Sequence, residues 1–403
     1  MYTGYITTNN ATQSKLYYTL YSFNGAENPA ASINDDAPLI LWLQGGPGCS
    51  VQQGDHTEIG PFQIVIDGDK VLTLPRNMTW NKKAHLLFPE DILGVGFSVV
   101  GDENITSSTQ VAEYFHVFLA RFYQLYPSLL KQDLYIVGES YGGHFAPAVA
   151  AKIVSNITQN QIKLAGVAIG DGLVDTIGQI GWWAQYSYAA GLIDAVTRDQ
   201  YKALQNQMYM YISNDQYDLA SAAMDEILGG LITEGGGFMA INFRLYEGTS
   251  ELYDLSVWLA NQTVKALLHV DPTAEYNGCE SGVSSAFTRD LISSFAENLT
   301  YVMNYQGGAI KTLIYQGQDD MLINTPGAMS YIQRLSDWIG LPSYNSAKRV
   351  TWTAIDDPTQ IYGTYKHFGS FTYATVNKAG HMVPEYQPES CFDMITRFIT
   401  NNW

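Results

Sequence analysis

The chain has 403 residues, of which 46% are hydrophobic, and a formal net charge of −18 at pH 7. This length and apolar content allow a large core and exclude a disordered or collagen-like chain. The acidic surplus argues against nucleic acid and anionic membranes as partners. The sequence has no run of about 18 apolar residues to cross a bilayer, and its first ten residues lack a charged-then-apolar signal pattern.

Short apolar runs alternate with amphipathic stretches from residue 39 onward. We predict buried strands of a mostly parallel sheet at Leu39–Leu43, Ala84–Phe88, Leu134–Val137, Leu164–Ile169, Thr312–Tyr315 and Phe371–Val376. Between the second and third strands, Thr109–Tyr126 has apolar residues at helical spacing, which predicts an amphipathic helix. This alternation predicts an α/β fold with a doubly wound, mostly parallel central sheet.

The strand pattern stops near Trp182 and resumes at Ile310. The intervening segment contains a Gly-rich loop and three helix-like stretches: Gly235–Gly237, Arg198–Met210, Leu219–Leu228 and Leu252–His269. We therefore predict a helical cap over residues 182–290. It is inserted between a first part of the core, residues 1–181, and a second part, residues 291–403.

The sequence Gly138-Glu139-Ser140-Tyr141-Gly142 follows the predicted strand Leu134–Val137 and precedes a helix-like run, Gly143–Ile153. In a nucleophile elbow, glycines flank the serine and allow a strained turn that holds its hydroxyl clear of the backbone. The five-residue pattern is common by chance, and the alternative is a surface turn. The flanking strand and helix favour the elbow, so we predict Ser140 as the nucleophile of an α/β-hydrolase.

A nucleophilic serine needs a neighbouring base, and the base needs an acid to fix its tautomer. The chain order in α/β-hydrolases is serine, acid, histidine, which leaves His367 and His381 as candidate bases. His381 lies in the loop directly after the predicted strand Phe371–Val376, and we predict it as the base. His367 precedes that strand and is interpreted as a loop or surface histidine.

The acid is expected at the carboxyl end of the preceding strand, Thr312–Tyr315, where Asp319 and Asp320 stand side by side. Sequence physics alone does not choose between them. The aspartate that is not used is expected to be a turn residue that bonds to nearby backbone amides.

The histidines and cysteines do not form metal-ligand patterns. No His-x-x-x-His or Cys-x-x-Cys spacing occurs among the seven histidines and three cysteines. We therefore predict no metal site and no cofactor.

Seven short motifs occur in order along nearly the whole chain. They are Trp42–Ser50 (WLQGGPGCS), Glu58–Pro61 (EIGP), Trp80-Asn81, Gly94–Ser98 (GVGFS), Gly138–Gly143 (GESYGG), Gly170–Gly172 (GDG) and Ala379–Pro384 (AGHMVP). Together they resemble the serine carboxypeptidase family. The resemblance implies an α/β-hydrolase that cleaves the C-terminal peptide bond of peptides and proteins through an acyl-enzyme, favoured at acid pH.

The resemblance also assigns the acid. The family pattern Gly-x-x-Asp-x-x-x-Asn falls on Gly317 and Asn324 and selects Asp320. The predicted catalytic residues are therefore Ser140, Asp320 and His381.

By the same resemblance, the backbone amides of Gly46 and Tyr141 form the oxyanion hole, which stabilises the carbonyl oxygen as it becomes negative. A glycine is expected at position 46 because a side chain there would obstruct the approaching carbonyl.

A site for the free carboxylate of the substrate is implied at Gln44, the Gly45 amide, Glu58 and Glu139. Two ionised glutamates would repel a carboxylate, so at least one must be protonated, and peptide binding should favour acid pH. Without the resemblance, Glu58 would be read as a surface charge.

Two departures from the family pattern concern this site. Gln44 stands where the best-known members have asparagine, so its amide reaches one methylene further. Residues 50–57 are more polar than the apolar stretch with which many relatives line the pocket for the leaving residue. A preference for large apolar C-terminal residues is therefore not predicted.

Cys49 and Cys279 occupy positions that are disulfide-linked in similar proteins, which leaves Cys391 as a free, buried thiol. Six Asn-x-Ser/Thr sequons favour a secretory route and a secreted or lysosomal/vacuolar protein. These candidate glycosylation sites are Asn10, Asn77, Asn104, Asn156, Asn261 and Asn298.

Two alternative functions use the same scaffold. Acyltransferases of this kind pass the acyl group to an alcohol and often carry aspartate before the serine, whereas this chain has Glu139. A non-catalytic protective or binding protein is the other alternative, but the three triad positions are intact. Both features favour the peptidase.

Overall fold

The computed structural model describes residues 1–25, 28, 31–67, 70–246, 255–355 and 357–403. Its strands are β1 (Tyr2–Asn9), β2 (Ser14–Tyr21), β3 (Leu39–Leu43), β4 (Phe62–Asp67), β5 (Lys70–Pro75), β6 (His85–Pro89), β7 (Asp133–Glu139), β8 (Lys163–Gly170), β9 (Phe238–Met239), β10 (Asn242–Tyr246), β11 (Lys311–Gly317), β12 (Arg349–Thr353), β13 (Ile361–Phe368) and β14 (Phe371–Val376).

The α-helices are α1 (Ser108–Leu125), α2 (Gly142–Ser155), α3 (Ile157–Asn160), α4 (Thr176–Ile180), α5 (Trp183–Ala189), α6 (Ala195–Ser213), α7 (Tyr217–Glu234), α8 (Leu255–Leu259), α9 (Gln262–Leu267), α10 (Ser281–Ala286), α11 (Thr288–Leu291), α12 (Ala296–Asn304), α13 (Thr325–Gln333), α14 (Leu341–Ser346), α15 (Val383–Tyr386) and α16 (Pro388–Thr400). A π-helical turn spans Gly54–Ile59, and short 3₁₀ turns occur at Trp80–Lys82, Leu129–Lys131 and Tyr305–Gly307.

Ten strands form one central sheet in the order β1-β2-β6-β3-β7-β8-β11-β14-β13-β12. The six strands from β6 to β14 run parallel, and the strands outside them on either edge are antiparallel. All six predicted strands are present, with ends that differ by no more than two residues. The predicted doubly wound, mostly parallel sheet is therefore confirmed.

Helices cover both faces of the sheet, which is why its central strands read as continuous apolar runs. In β3, the side chains of Leu39, Leu41 and Leu43 pack into the core under α1, α2 and α12, whereas Ile40 and Trp42 pack into the core under α16. Every residue of β3 is buried. The two cores lie on opposite faces because successive side chains of a strand point to opposite sides.

The chain between β8 and β11 holds helices α4–α12 and the short hairpin β9–β10. The predicted stretches Arg198–Met210 and Leu219–Leu228 lie inside α6 and α7, which pack on each other in a separate apolar cluster. The stretch Leu252–His269 is divided between α8 and α9, and its first three residues lie outside the described part of the chain. The Gly-rich loop connects α7 to β9.

Strands β7, β8, β11 and β14 are neighbours and run in the same direction. Their carboxyl ends therefore meet at one edge of the sheet, which is the edge at which α/β folds bind their ligands. Ser140 follows β7, Asp171 follows β8, Asp320 lies beyond β11, and His381 lies beyond β14.

Candidate active site

Ser140 occupies the turn between β7 and α2 with φ of 57°, in the left-handed region that non-glycine residues seldom adopt. The Ser140 amide donates to the Gly170 carbonyl at 3.1 Å. Its own carbonyl accepts from Gly143 at 2.9 Å and from Leu173 at 2.8 Å. These three bonds hold the turn in a conformation that costs of order 1–3 kcal/mol when nothing supports it. The geometry is that of a nucleophile elbow.

His381 and Asp320 are hydrogen-bonded through His381 Nδ1 and Asp320 Oδ2, which lie 2.7 Å apart. Both side chains are buried. The second oxygen of Asp320, Oδ1, accepts from the Ile323 amide at 3.1 Å. Because Nδ1 faces the carboxylate, the proton is assigned to Nδ1, and Nε2 is left to accept a proton from a serine hydroxyl.

Asp319 has a different partner from Asp320. Its Oδ2 atom lies 2.9 Å from Nε of Arg244, and its carbonyl accepts from the Phe243 amide at 3.0 Å. Asp319 is thus bound to strand β10, rather than to nearby turn amides as expected. His367 lies on β13 opposite the start of β14, where its Nδ1 is 2.8 Å from Thr372 Oγ1. His367 therefore lies beside the amino end of β14, whereas His381 follows the carboxyl end of β14.

The hairpin β9–β10 contacts the loops that carry His381 and Asp320. The His381 amide donates to the Ile241 carbonyl at 2.7 Å, and the Met321 amide donates to the Ala240 carbonyl at 3.0 Å. These bonds join the segment between β8 and β11 to the loops after β11 and β14. Sequence reasoning predicted a helical cap and did not foresee this hairpin.

Gly45 lies directly against the nucleophile. A Cβ atom on Gly45 would be 2.4 Å from Ser140 Cβ, 2.8 Å from Ser140 Oγ and 3.0 Å from the Tyr141 amide nitrogen. Any side chain at position 45 would therefore displace the serine. The structure gives a further reason for glycine at position 46: its φ is 113°, and its Cβ would meet the amide nitrogens of Gly48 and Cys49 at 2.8 and 2.9 Å.

The backbone amides of Gly46 and Tyr141 donate to no acceptor within the described part of the chain. Tyr141 directly precedes helix α2, so its amide is at the positive end of the helix dipole. Its hydroxyl donates to Asp290 Oδ2 at 2.8 Å, and its ring stacks on His144 at a centroid distance of 4.6 Å. These contacts hold the hydroxyl and the ring of Tyr141.

Two donors orient the Gln44 side chain. The Trp42 indole Nε1 donates to Gln44 Oε1 at 2.7 Å, and the Gly54 amide donates to the same oxygen at 3.1 Å. Because an amide oxygen only accepts, these contacts turn the NH2 group of Gln44 toward the two glutamates. Its Nε2 atom lies 3.2 Å from Glu139 Oε1 and 3.5 Å from Glu58 Oε1. The longer side chain therefore still reaches both carboxyls.

Glu58 and Glu139 are buried and within hydrogen-bonding reach of each other. Burial raises the pKa of Glu58, and its hydrogen bonds to Glu139 and Gln44 partly offset this rise. Burial raises the pKa of Glu139 well above its usual range, and the charge of Glu58 raises it further. Two carboxyls share a hydrogen bond only when one is protonated, so the pair keeps one proton to a higher pH than ordinary glutamates do.

Three buried groups around this site had no role in the sequence prediction. Trp42 donates to the side chain of Gln44. Asp91 Oδ2 accepts from the backbone amide of Gln44 at 2.6 Å. Asp171 lies beside Asp320. Trp42 and Asp171 both stand inside motifs that carried the family resemblance, so their positions were available as a signal although their contacts were not.

Asp171, Asp320 and His381 place one donor atom each within 4.8 Å of the others, the spacing that a metal ion would need. His381 Nδ1 is already bonded to Asp320, and Asp171 accepts from Gln316 Nε2 and the Gly317 amide. Each of the three side chains therefore already has a hydrogen-bond partner in the protein.

Cys49 and Cys279 form a disulfide, and Cys391 is a free cysteine buried in α16. The disulfide joins the loop after β3 to the start of α10, across a sequence separation of 230 residues. Asn10, Asn77, Asn104 and Asn261 are exposed, whereas Asn156 and Asn298 are half-buried. Within the described ranges, none of the helices has the length and apolar character that a membrane span requires.

A family model described as serine carboxypeptidase matches residues 1–401. The venom serine carboxypeptidase of Apis mellifera is 32% identical over 413 residues, covering 99% of this chain and 84% of that protein. The probable serine carboxypeptidase CPVL of Mus musculus is 30% identical over 414 residues, covering 99% and 82%.

Among solved structures, the prohormone-processing carboxypeptidase Kex1(Δ)p of Saccharomyces cerevisiae superposes with a TM-score of 0.84 at 21% identity, over 99% of this chain and 91% of that one. This structural likeness shows the α/β-hydrolase carboxypeptidase fold. The family match extends over nearly every residue. The chain therefore belongs to the serine carboxypeptidase family and is a serine-type carboxypeptidase.

Proposed function

We propose that this carboxypeptidase uses Ser140 as nucleophile, His381 as general base and Asp320 as the acid that orients His381. The supporting observation is the 2.7 Å contact between His381 Nδ1 and Asp320 Oδ2, at the same sheet edge as the elbow of Ser140. Ser140 Oγ attacks the scissile carbonyl carbon as His381 Nε2 takes its proton. His381 then gives that proton to the leaving amine, and the acyl-enzyme forms. Water activated by His381 hydrolyses it.

The amides of Gly46 and Tyr141 are proposed as the oxyanion hole. They would donate to the carbonyl oxygen as it becomes negative, and the loss of one such donor typically costs about 3 kcal/mol of transition-state stabilisation. The unused amides and the packing of Gly45 against Ser140 support this proposal.

The exopeptidase specificity is assigned to Gln44, the Gly45 amide, Glu58 and Glu139. A substrate carboxylate approaching two glutamates is accepted when the pair holds a proton that it can donate. Burial raises the pKa of both glutamates, which supports this protonation state. Peptide hydrolysis is therefore expected to be favoured on the acid side, where this proton is retained.

Peptide and protein C-termini are the proposed substrates, and a secretory route is the proposed location. A disulfide persists in oxidising compartments, and four of the six sequons are exposed. The name of the Apis mellifera relative describes that protein as a venom component, which supports secretion. The predicted cap, residues 182–290, is proposed to border the substrate cleft, because Ile241 bonds to the His381 loop.

The experiment that tests this function follows the products of a mixed peptide set by mass spectrometry. We expect stepwise shortening from the C-terminus with the wild type and none with Ser140→Ala, whose fold should be unchanged by circular dichroism. Transfer of the acyl group to an added alcohol in preference to water would favour the acyltransferase instead. Turnover by Ser140→Ala would reject Ser140 as the nucleophile.

A further inference from the structure

Asp171 directly follows strand β8, which lies between the strand of the proposed nucleophile and the strand of the proposed acid. Its side chain is fully buried, and its φ is 41°, in the left-handed region. Oδ1 accepts from Gln316 Nε2 at 2.5 Å and from the Gly317 amide at 2.9 Å. The carboxyl group is thus held in a fixed orientation by the end of β11.

One carboxyl oxygen of Asp171 and one of Asp320 lie within 4.8 Å of each other, and the two side chains can share a hydrogen bond when one of them is protonated. Two carboxylates repel each other, so this bond requires one proton. Asp171 accepts from Gln316 and from the Gly317 amide, which lies 2.9 Å from Oδ1 and 3.2 Å from Oδ2. Asp320 accepts from His381 Nδ1 at 2.7 Å, and its proposed role as the acid requires that it remain an acceptor there. The proton is therefore assigned to Asp171 as the donor.

We propose that Asp171 is a positioning residue for the triad: its carboxyl proton is donated to the Asp320 carboxylate and holds it in the orientation from which it accepts from His381. The residue does not touch the substrate and acts through Asp320. The inference rests on the proposed function, because it assumes that Asp320 and His381 are the acid and the base.

Burial supports this protonation state. It raises the pKa of Asp171 well above the usual aspartate range, the charge of Asp320 raises it further, and the hydrogen bond from Gly317 lowers it. Several titratable groups on the surrounding elements face Asp171, and none of these is a lysine or arginine. They are Asp320, His381, Glu58, Glu139, Tyr186, Tyr315, Tyr373 and Cys391.

The sign of the pH effect follows from the raised pKa. Below that pKa, Asp171 is protonated, donates to Asp320 and carries no charge. Above it, the donor is lost and a second negative charge stands beside Asp320. The orientation of the acid and the base is then disturbed, so activity should fall as the pH rises through the pKa of Asp171.

Asp171→Asn separates the hydrogen bond from the titration. Its NH2 group still donates to Asp320, its carbonyl oxygen still accepts from Gln316 and Gly317, and it does not ionise. The measurement is kcat/KM from about pH 5 to about pH 10 with a blocked ester that has no free carboxylate, so that recognition by Glu58 and Glu139 does not enter.

We expect Asp171→Asn to match the wild type within about 3-fold at acid pH and to keep its activity to a higher pH than the wild type. Asp171→Ala, which removes the donor, should lose about 10- to 100-fold in kcat at every pH with little change in KM. Circular dichroism and thermal unfolding of both variants establish that they fold.

Asp175→Asn is the matched control. Asp175 is buried in the same loop but pairs with Arg334, 3.4 Å away. It should change stability and leave the fall of activity at high pH in place. The proposal is overturned if Asp171→Asn shows the same fall as the wild type, or if Asp175→Asn removes it too. Failure of the proposed function itself would appear separately, as ester turnover by Ser140→Ala.

Discussion

His381 Nδ1 lies 2.7 Å from Oδ2 of Asp320, whereas the adjacent Asp319 is bound 2.9 Å from Arg244. Two neighbouring aspartates of the same loop thus have different partners, one on the loop after β14 and one on β10. The chain order of an α/β-hydrolase allows either to be the acid. The family pattern selects Asp320, and the contact with His381 supports the same choice.

The first prediction is that Asp320→Asn reduces kcat far more than Asp319→Asn. The NH2 group of an asparagine at 320 would donate to His381 Nδ1 and so favour the wrong tautomer of the imidazole. A change of this kind in a serine protease costs about 10⁴-fold in kcat. Asp319→Asn removes an ion pair whose arginine is 67% exposed, so we expect less than about a 10-fold change. Ester hydrolysis at saturating substrate measures both. A larger loss in Asp319→Asn would mean that the triad acid is Asp319.

The second prediction concerns the thiols. Denatured, unreduced protein should contain one reactive thiol, and peptide mapping should place it at Cys391, because Cys49 and Cys279 are joined. The folded protein should show none, since Cys391 is buried and burial raises its pKa. Three thiols in the denatured protein would exclude the disulfide.

A related measurement gives the stability that the disulfide contributes. It closes a loop with a sequence separation of 230 residues. Loop-closure entropy for a chain of this length predicts about 5.5 kcal/mol of stabilisation, acting through the unfolded state. Urea unfolding of a Cys49→Ser/Cys279→Ser variant should show a loss of this order, and Cys391→Ser is the single-thiol control.

Sequence predicted the parallel part of the sheet well, because strands buried on both faces are short and mostly apolar. Phe371–Val376, for example, matches β14 at both ends. The antiparallel edge strands were missed. Tyr2–Asn9 has only two buried positions and Ile361–Phe368 only one, so these two strands do not form buried apolar runs. Hairpin β9–β10 is also short, and its position depends on contacts with two distant loops.

At the site, sequence was informative where one local motif fixes the backbone, as at Ser140. It was not informative where a contact joins residues on different strands. Asp171 and Asp320 are 149 positions apart and meet because β8 and β11 are neighbours in the sheet. The partner of Asp319 likewise comes from β10. Strand order and register set these contacts, and neither is encoded in a short motif.

The third prediction is that the protein loses stability as the pH rises from about 4 toward about 8. Asp55 is fully buried, and burial raises its pKa to about 7. An ordinary aspartate has a pKa of about 3.9, so this group ionises at lower pH in the unfolded chain than in the fold. Ionisation therefore stabilises the unfolded state relative to the folded state as the pH rises. Glu90, whose pKa burial raises to about 8, acts in the same direction.

Asp55→Asn removes this titration. Thr19 and Tyr21 donate to Asp55 Oδ2 at 2.9 and 3.1 Å, and an amide oxygen accepts from both as well. Between about pH 4 and pH 7, Asp55→Asn should lose less free energy of unfolding than the wild type, by a few kcal/mol. Asp357→Asn, at an exposed position, should not flatten the curve. A wild-type stability that is flat or rises over this range would contradict the prediction.

The last prediction concerns recognition of the terminal carboxylate. Glu58 and Glu139 are proposed to share one proton, and burial raises the pKa of each. The pair is therefore expected to hold this proton to a higher pH than ordinary glutamates do. The proton is present below the raised pKa values and lost above them, so affinity for a free-acid peptide should fall as the pH rises through them. A peptide amide presents no carboxylate, and its hydrolysis should continue toward neutral pH. Glu139→Gln supplies a donor that does not titrate, which should flatten the loss for the free acid even if the overall rate is lower.

Glu385→Gln is the matched control, because Glu385 is a neighbouring carboxyl whose pKa burial raises to about 7 but which is not assigned to substrate binding. The measurement is kcat/KM against pH for a free-acid peptide and its amide in the wild type and both variants. Identical pH profiles for the two substrates in the wild type would contradict recognition by the protonated pair. Equal flattening by Glu385→Gln would show that the titration does not belong specifically to Glu139.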